Sequence, residues 1–126
     1  MLTRIRYVVL SILVAPVLLT GCLGSGLSTT QLADTVLDDA QFWSGTVRIS
    51  GIVTVKKDGH LTIAPGTRIV FDRIDRDGDQ IGDAEILVEG SLTAVGTPDA
   101  PIVLTSGAAQ PQKADWKYLY LDFAKK

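Results

Sequence analysis

From Thr46 to Leu121 the apolar residues come in short runs of about four, with polar residues between them, at spacings of about eight. The runs are Thr46–Ser50, Ile52–Val55, Leu61–Ile63, Arg68–Phe71, Ile86–Glu89, Leu92–Val95, Ile102–Thr105 and Lys117–Leu121. Most are rich in Val, Ile, Leu and Thr, and several place their apolar members at alternate positions, which predicts strands with one buried face. Gly51, Gly59, Gly66, Gly82, Gly90, Gly96 and Gly107 stand between or beside them, as do Pro65, Pro98, Pro101 and Pro111. Each break is therefore a predicted turn.

The runs repeat as a set of three. Ile52–Val55, Leu61–Ile63 and Arg68–Phe71 are followed by Ile86–Glu89, Leu92–Val95 and Ile102–Thr105, and Trp116 begins a third set. The phrases Gly51-Ile-Val-Thr-Val, Gly59-His-Leu-Thr-Ile and Gly90-Ser-Leu-Thr-Ala-Val are variants of one another. If each set closes one triangular rung, the next rung stacks by parallel pairing about 4.8 Å above it. The inward Val, Ile and Leu then form ladders along the axis. Hairpin turns fit the same spacings, so a small antiparallel β-sandwich is the alternative.

Particular phrases favour the solenoid. Leu61-Thr62-Ile63 with Pro65-Gly66-Thr67, Gly90 to Thr97, Pro101 to Ser106, and Trp116 after them resemble a family of surface proteins with right-handed parallel β-helix repeats. The resemblance covers residues 43 to about 121. It implies an all-β chain: a short right-handed parallel β-helix of about two to three rungs. The family places Gly-Gly after the Trp, where this sequence has Lys117 and Tyr118. So short a stack leaves its last rung open. Either Trp116–Phe123 caps it, or it pairs with another chain, or the gene product is truncated.

The first residues follow a different pattern. Arg4 and Arg6 precede an apolar run, Tyr7 to Leu19, broken by Ser11 and Pro16. That run has about thirteen residues, short of the roughly twenty a spanning helix needs. Its charge order and length predict an export signal. Leu19-Thr20-Gly21-Cys22 then resembles the lipobox of bacterial lipoproteins. The resemblance implies that residues 1–21 are a signal peptide, that cleavage precedes Cys22, and that this cysteine carries a diacylglycerol on sulfur and an acyl chain on its amine. More than one chain is what stable anchoring requires. The expected location is the cell envelope, membrane-anchored through lipid. It is the outer membrane if the cell is diderm, because Leu23 rather than Asp follows the cysteine.

Composition narrows the rest. Cys22 is the only cysteine, so no disulfide can form within the chain. Formal charge is −2 for the whole chain, and roughly −4 once the signal's arginines are removed. The basic residues form no stripe, so nucleic acid is not an expected partner. Gly, Ser, Thr and Leu from Leu23 to Thr30 predict a flexible tether. In residues 31–42, Leu32, Val36 and Leu37 fall at helical spacing behind a capping Thr30, so a short helix is one expectation there. The expected organisation is a signal peptide at 1–21, a lipidated cysteine with tether and N-terminal cap at 22–42, and the β-domain at 43–126.

One loop is acidic. Asp72, Asp75, Asp77, Asp79, Asp83 and Glu85 lie within one stretch that also holds Gly78 and Gly82. Oxygen ligands at alternate positions on a tight loop suit Ca²⁺, which takes six to eight of them. The spacing resembles the calcium loops of thrombospondin-like and dockerin-like proteins. That resemblance implies Asp75, Asp77, Asp79 and Asp83 as ligands, Ile81 through its carbonyl, and Glu85 or Asp72 to complete the shell. It departs at Gln80, where those loops carry Gly, and at Ile86, where they carry an acid. The simpler reading is a solvated turn in which Asp and Gly suit the backbone. Because mutual repulsion is opposed nearby only by Arg73 and Arg76, a structural calcium ion is the expectation.

Parallel β-helices include polysaccharide lyases and glycosidases, whose chemistry needs carboxylates paired across a groove or calcium with a base. Here the carboxylates are gathered in one loop, and His60, the only histidine, sits at a turn. Trp43, Trp116, Tyr118 and Tyr120 at strand ends read as cap and core. The expectation is a non-enzymatic structural or interaction module. The alternatives are a calcium-stabilised carbohydrate-binding or adhesin-like module and a remnant of a polysaccharide-degrading enzyme. Expected partners are the membrane, through the lipid, a polysaccharide or protein at the cell surface, and a second copy at the open end.

Overall fold

The structure, a computed structural model, describes residues 28–122. The export signal, Cys22 and most of the tether lie outside the described residues. Within them the chain forms short strands and no helix. The first rung is β1 (Thr29–Leu32), β2 (Thr35–Leu37) and β3 (Ala40–Trp43). The second is β4 (Thr46–Ile49), β5 (Ile52–Val55) and β6 (His60–Ile63). The third is β7 (Arg68–Phe71), β8 (Glu85–Val88) and β9 (Ser91–Ala94). Two sides of a fourth follow, β10 (Val103–Ser106) and β11 (Leu119–Leu121). Three parallel sheets result, in the orders β1-β4-β7-β10, β2-β5-β8-β11 and β3-β6-β9. This is a short parallel β-helix, and the antiparallel sandwich is excluded. The repeating set is real: β5, β6 and β7 stack under β8, β9 and β10 respectively.

Residues 29–43 correct the reading of the N-terminal stretch. The expected short helix is absent, and these residues add one whole rung below the expected ones. Leu32 and Leu37 face the core while Val36 is exposed. Their helix-like spacing arises because a corner falls between β1 and β2 and resets the alternation.

The core is a set of ladders. Val47 stacks on Ile69 and Ile49 on Phe71 in the first sheet, and Val53 on Ile86 and Val55 on Val88 in the second. Leu61 supplies the third, and all these side chains are fully or almost fully buried. At about 1.5–3 kcal/mol for each side chain taken from water, this burial is the main stabilising term. The corners are narrow. A Cβ on Gly59 would lie 2.4 Å from the Leu37 carbonyl oxygen, and one on Gly51 would lie 2.2 Å from Asp34 Oδ1. Backbone passes where any side chain would stand.

Candidate functional site

The corner joining the first sheet to the second is where the rungs differ most. In the lower rungs it is a tight turn, Ala33-Asp34 and then Ser50-Gly51. In the third rung it expands to the acidic loop between Phe71 and Glu85, and in the fourth to the segment between Ser106 and Leu119. Asp34 Oδ1 accepts the Ile52 N–H at 2.9 Å, and Arg76 donates to Asp34 at 3.0 Å. Arg48 pairs with Asp72 at the same corner.

The acidic loop is wound on its own carboxylates. Asp75 accepts the N–H groups of Gly78 and Gln80 at 2.7 and 2.9 Å. Asp77 accepts from Asp79 N at 3.1 Å, and Asp79 from Ile81 N at 2.8 Å. These are Asx-type turns, the use of Asp that the solvated-turn reading describes. Gln80 adopts φ 70, the left-handed region, where glycine is the cheaper residue. The position flagged as a departure is thus the strained one.

Of the expected ligands, Asp75, Asp77 and Asp83 come together, each offering an oxygen within 4.8 Å of the others. Asp79 and Glu85 are not in that group. Glu85 opens β8 opposite Ile52 and is 6% exposed, and its Oε2 has no hydrogen-bond partner among the described residues. Ile81 is exposed and enters the loop's bonding through its N–H. Asp83 accepts the Arg76 N–H at 2.6 Å and pairs with Lys117 Nζ at 2.7 Å. The three converging carboxylates offer part of the six to eight oxygens that a calcium ion takes, and one of them already holds an ammonium.

Lys117 is the residue that sequence reasoning missed at this site. It lies far along the chain, in the segment before β11, and only the stacking of rungs brings it here. That segment and the acidic loop are interlocked: Gly82 N donates to the Ala114 carbonyl at 2.7 Å, and Lys117 N to the Ala84 carbonyl at 3.0 Å. Arg73 reaches across to Asp115 at 3.7 Å. Asp115 is 2% exposed and accepts from Ser106 Oγ at 2.7 Å and Gln112 N at 2.8 Å.

The Gln112 N–H first, then the Ser106 hydroxyl and the charge of Arg73, hold the Asp115 carboxyl below its ordinary value, against the opposing effect of burial. Asp34 is lowered chiefly by the Ile52 N–H, and Asp83 chiefly by Lys117. A carboxyl lowered in the folded state stabilises above its unfolded pKa of about 3.9 and loses that contribution as pH falls through the folded value. Melting temperature should therefore hold between pH 7 and about 5 and fall below about 4. Asp115→Asn should lower stability at pH 7 and flatten the acid limb. An acid limb unchanged in Asp115→Asn would refute the assignment.

His60 stands on the outer face of the third sheet, with Nδ1 2.5 Å from Ser91 Oγ and Nε2 3.5 Å from Thr93 Oγ1. Ser91 is its neighbour in register on the next rung. No carboxylate among the described residues bonds to the ring, so the pair lacks the orienting third group of a nucleophilic triad.

A family model for a pectate-lyase-like beta helix domain matches residues 29–121. Neither the curated proteins nor the solved structures supply a match.

Proposed function

The chain belongs to the pectate-lyase-like beta helix domain family, and from that premise we propose that it is an exported lipoprotein whose β-helix serves the cell envelope as a structural or interaction module. The observation that carries the anchoring is Cys22, the chain's sole cysteine, placed directly after Leu19-Thr20-Gly21 at the end of the apolar run. The first rung begins at Thr29, so the tether holds the β-helix close to the membrane surface. The non-catalytic role is supported by how the polar groups are used. Loop carboxylates bind backbone N–H groups and Lys117, and His60 meets hydroxyls.

The test is metabolic labelling with a clickable fatty acid in a bacterial host, followed by membrane fractionation. The wild-type chain should be labelled and recovered with membranes, and Cys22→Ser should lose the label entirely and leave the membrane fraction. An unlabelled wild-type chain would refute anchoring. For the non-catalytic role, the same preparation should release no unsaturated sugar from pectate, with or without calcium. Release by wild type would replace that role with a lyase activity.

A further inference from the structure

The carboxylates of the acidic loop need a counter-charge, and the structure shows where the loop's own arginines go. Arg76 turns to Asp34 at 3.0 Å, and Arg73 to Asp115 at 3.7 Å. Neither pairs with Asp75, Asp77, Asp79 or Asp83. The cation that does is Lys117, whose Nζ is 2.7 Å from Asp83 Oδ1. Asp83 is itself drawn into the loop by the Arg76 N–H and lies with Asp75 and Asp77 inside the 4.8 Å group. The side chains of Lys117 and Asp83 are 27% and 10% exposed, so this pair is better shielded than most surface ion pairs.

We infer that Lys117 is the resident counter-charge of the acidic loop: its ammonium, seated on Asp83, fastens the loop to the fourth rung without metal and opposes a divalent ion that would need the same carboxylate. A divalent ion on Asp83 would sit a few ångströms from the ammonium, and that repulsion opposes its binding. Lysine is a compact cation on a flexible stem and can supply a point charge in this way. Unlike a diffusible ion, it is part of the strand-bearing chain. Folding of the fourth rung and ordering of the third-rung loop thereby become one event.

The experiment uses the full chain in detergent, as wild type, Lys117→Met, Lys117→Arg and Asp83→Asn. Each is melted in EDTA and in millimolar calcium, and each is titrated with calcium. Wild type should melt at the same temperature in both buffers. Lys117→Met should melt a few degrees lower in EDTA, regain most of that loss in calcium, and bind calcium at least roughly tenfold more tightly than wild type. Lys117→Arg should stay near wild type, and Asp83→Asn should lose stability in EDTA without regaining it in calcium. A calcium-dependent rise in the wild-type melt would overturn the inference, as would a Lys117→Met chain that melts like wild type in EDTA. Should the methionine variant fail to fold, the wild-type titration decides: no loop binding sustains the inference, and binding ends it.

Discussion

Phe71→Ala is expected to lower stability by about 3–5 kcal/mol, the cost of deleting a buried aromatic and leaving its cavity. Phe71 ends β7 and is fully buried, resting on Ile49 of the rung below. Its neighbour in register on the rung above is Ser106, too small and too polar to continue an apolar ladder. The space over the ring is filled instead by Trp116, which arrives from the segment before β11. The two rings stack with centroids 4.3 Å apart and an interplanar angle of 7°. Phe71 is thus the point where the strand ladder ends and the indole closes the interior. Against a total stability of about 5–15 kcal/mol, the loss should lower the melting temperature by roughly 12 °C or more. It should also change the environment of Trp116, so fluorescence and calorimetry read the same event from two sides. Phe71→Leu, which keeps most of the volume, should cost under about 2 kcal/mol. An alanine variant within about 1 kcal/mol of wild type would mean that the stack contributes nothing to closure.

That closure explains part of what the sequence could and could not convey. The second and third rungs are legible because their inward positions are nearly all Val, Ile, Leu or Phe, and because Gly59 and Gly90 start matching phrases. Expected strand starts come one residue late for Glu85 and Ser91, where the first residue of the strand is polar, and one residue early for Val103, which follows the Pro101 break. In the first rung the signal is weaker. Thr35 and Gln41 occupy positions that are Val53 and Leu61 in the rung above, and Leu32, Val36 and Leu37 imitate a helical face. A helix and a strand–corner–strand can share that spacing, and only the register beneath β4 and β5 decides between them.

In the acidic loop, the convergence of Asp75, Asp77 and Asp83 was readable from alternate spacing, because Asx turns place successive carboxylates on one side. The counter-charge was not. Lys117 stands where the resembling family has glycine, and it meets Asp83 across a rung that inserts a strand on each of three sheets between them. Sequence reasoning weighed only Arg73 and Arg76, the nearest cations along the chain, and their side chains pair with Asp115 and Asp34 instead. Local spacing specifies turns well. It carries no information about which distant residue the next rung delivers.

Gly90→Ala is the substitution expected to disrupt stacking most directly. Gly90 forms the corner between β8 and β9, directly above the corner that holds Gly59. A Cβ there would lie 2.2 Å from the Lys56 carbonyl oxygen and 2.3 Å from the Gly59 carbonyl oxygen. Both obstacles are backbone, so no rotamer change relieves them. The corners must separate, and separation strains the Gly90 N to Val55 O and Ser91 N to Gly59 O hydrogen bonds, at 3.2 and 3.1 Å, that pin the rungs together. Overpacking of well-packed sites costs about 1–3 kcal/mol when side chains can yield, so a backbone clash should cost at least about 3 kcal/mol. Gly78→Ala supplies the contrast. Gly78 has φ 78, yet a Cβ there meets nothing within 4 Å. Its cost is conformational alone, about 1–2 kcal/mol. Denaturant titration of the two variants distinguishes close approach from backbone preference. If Gly90→Ala were the milder of the two, the corners would be free to spread, and the glycine column would not set the spacing of the rungs.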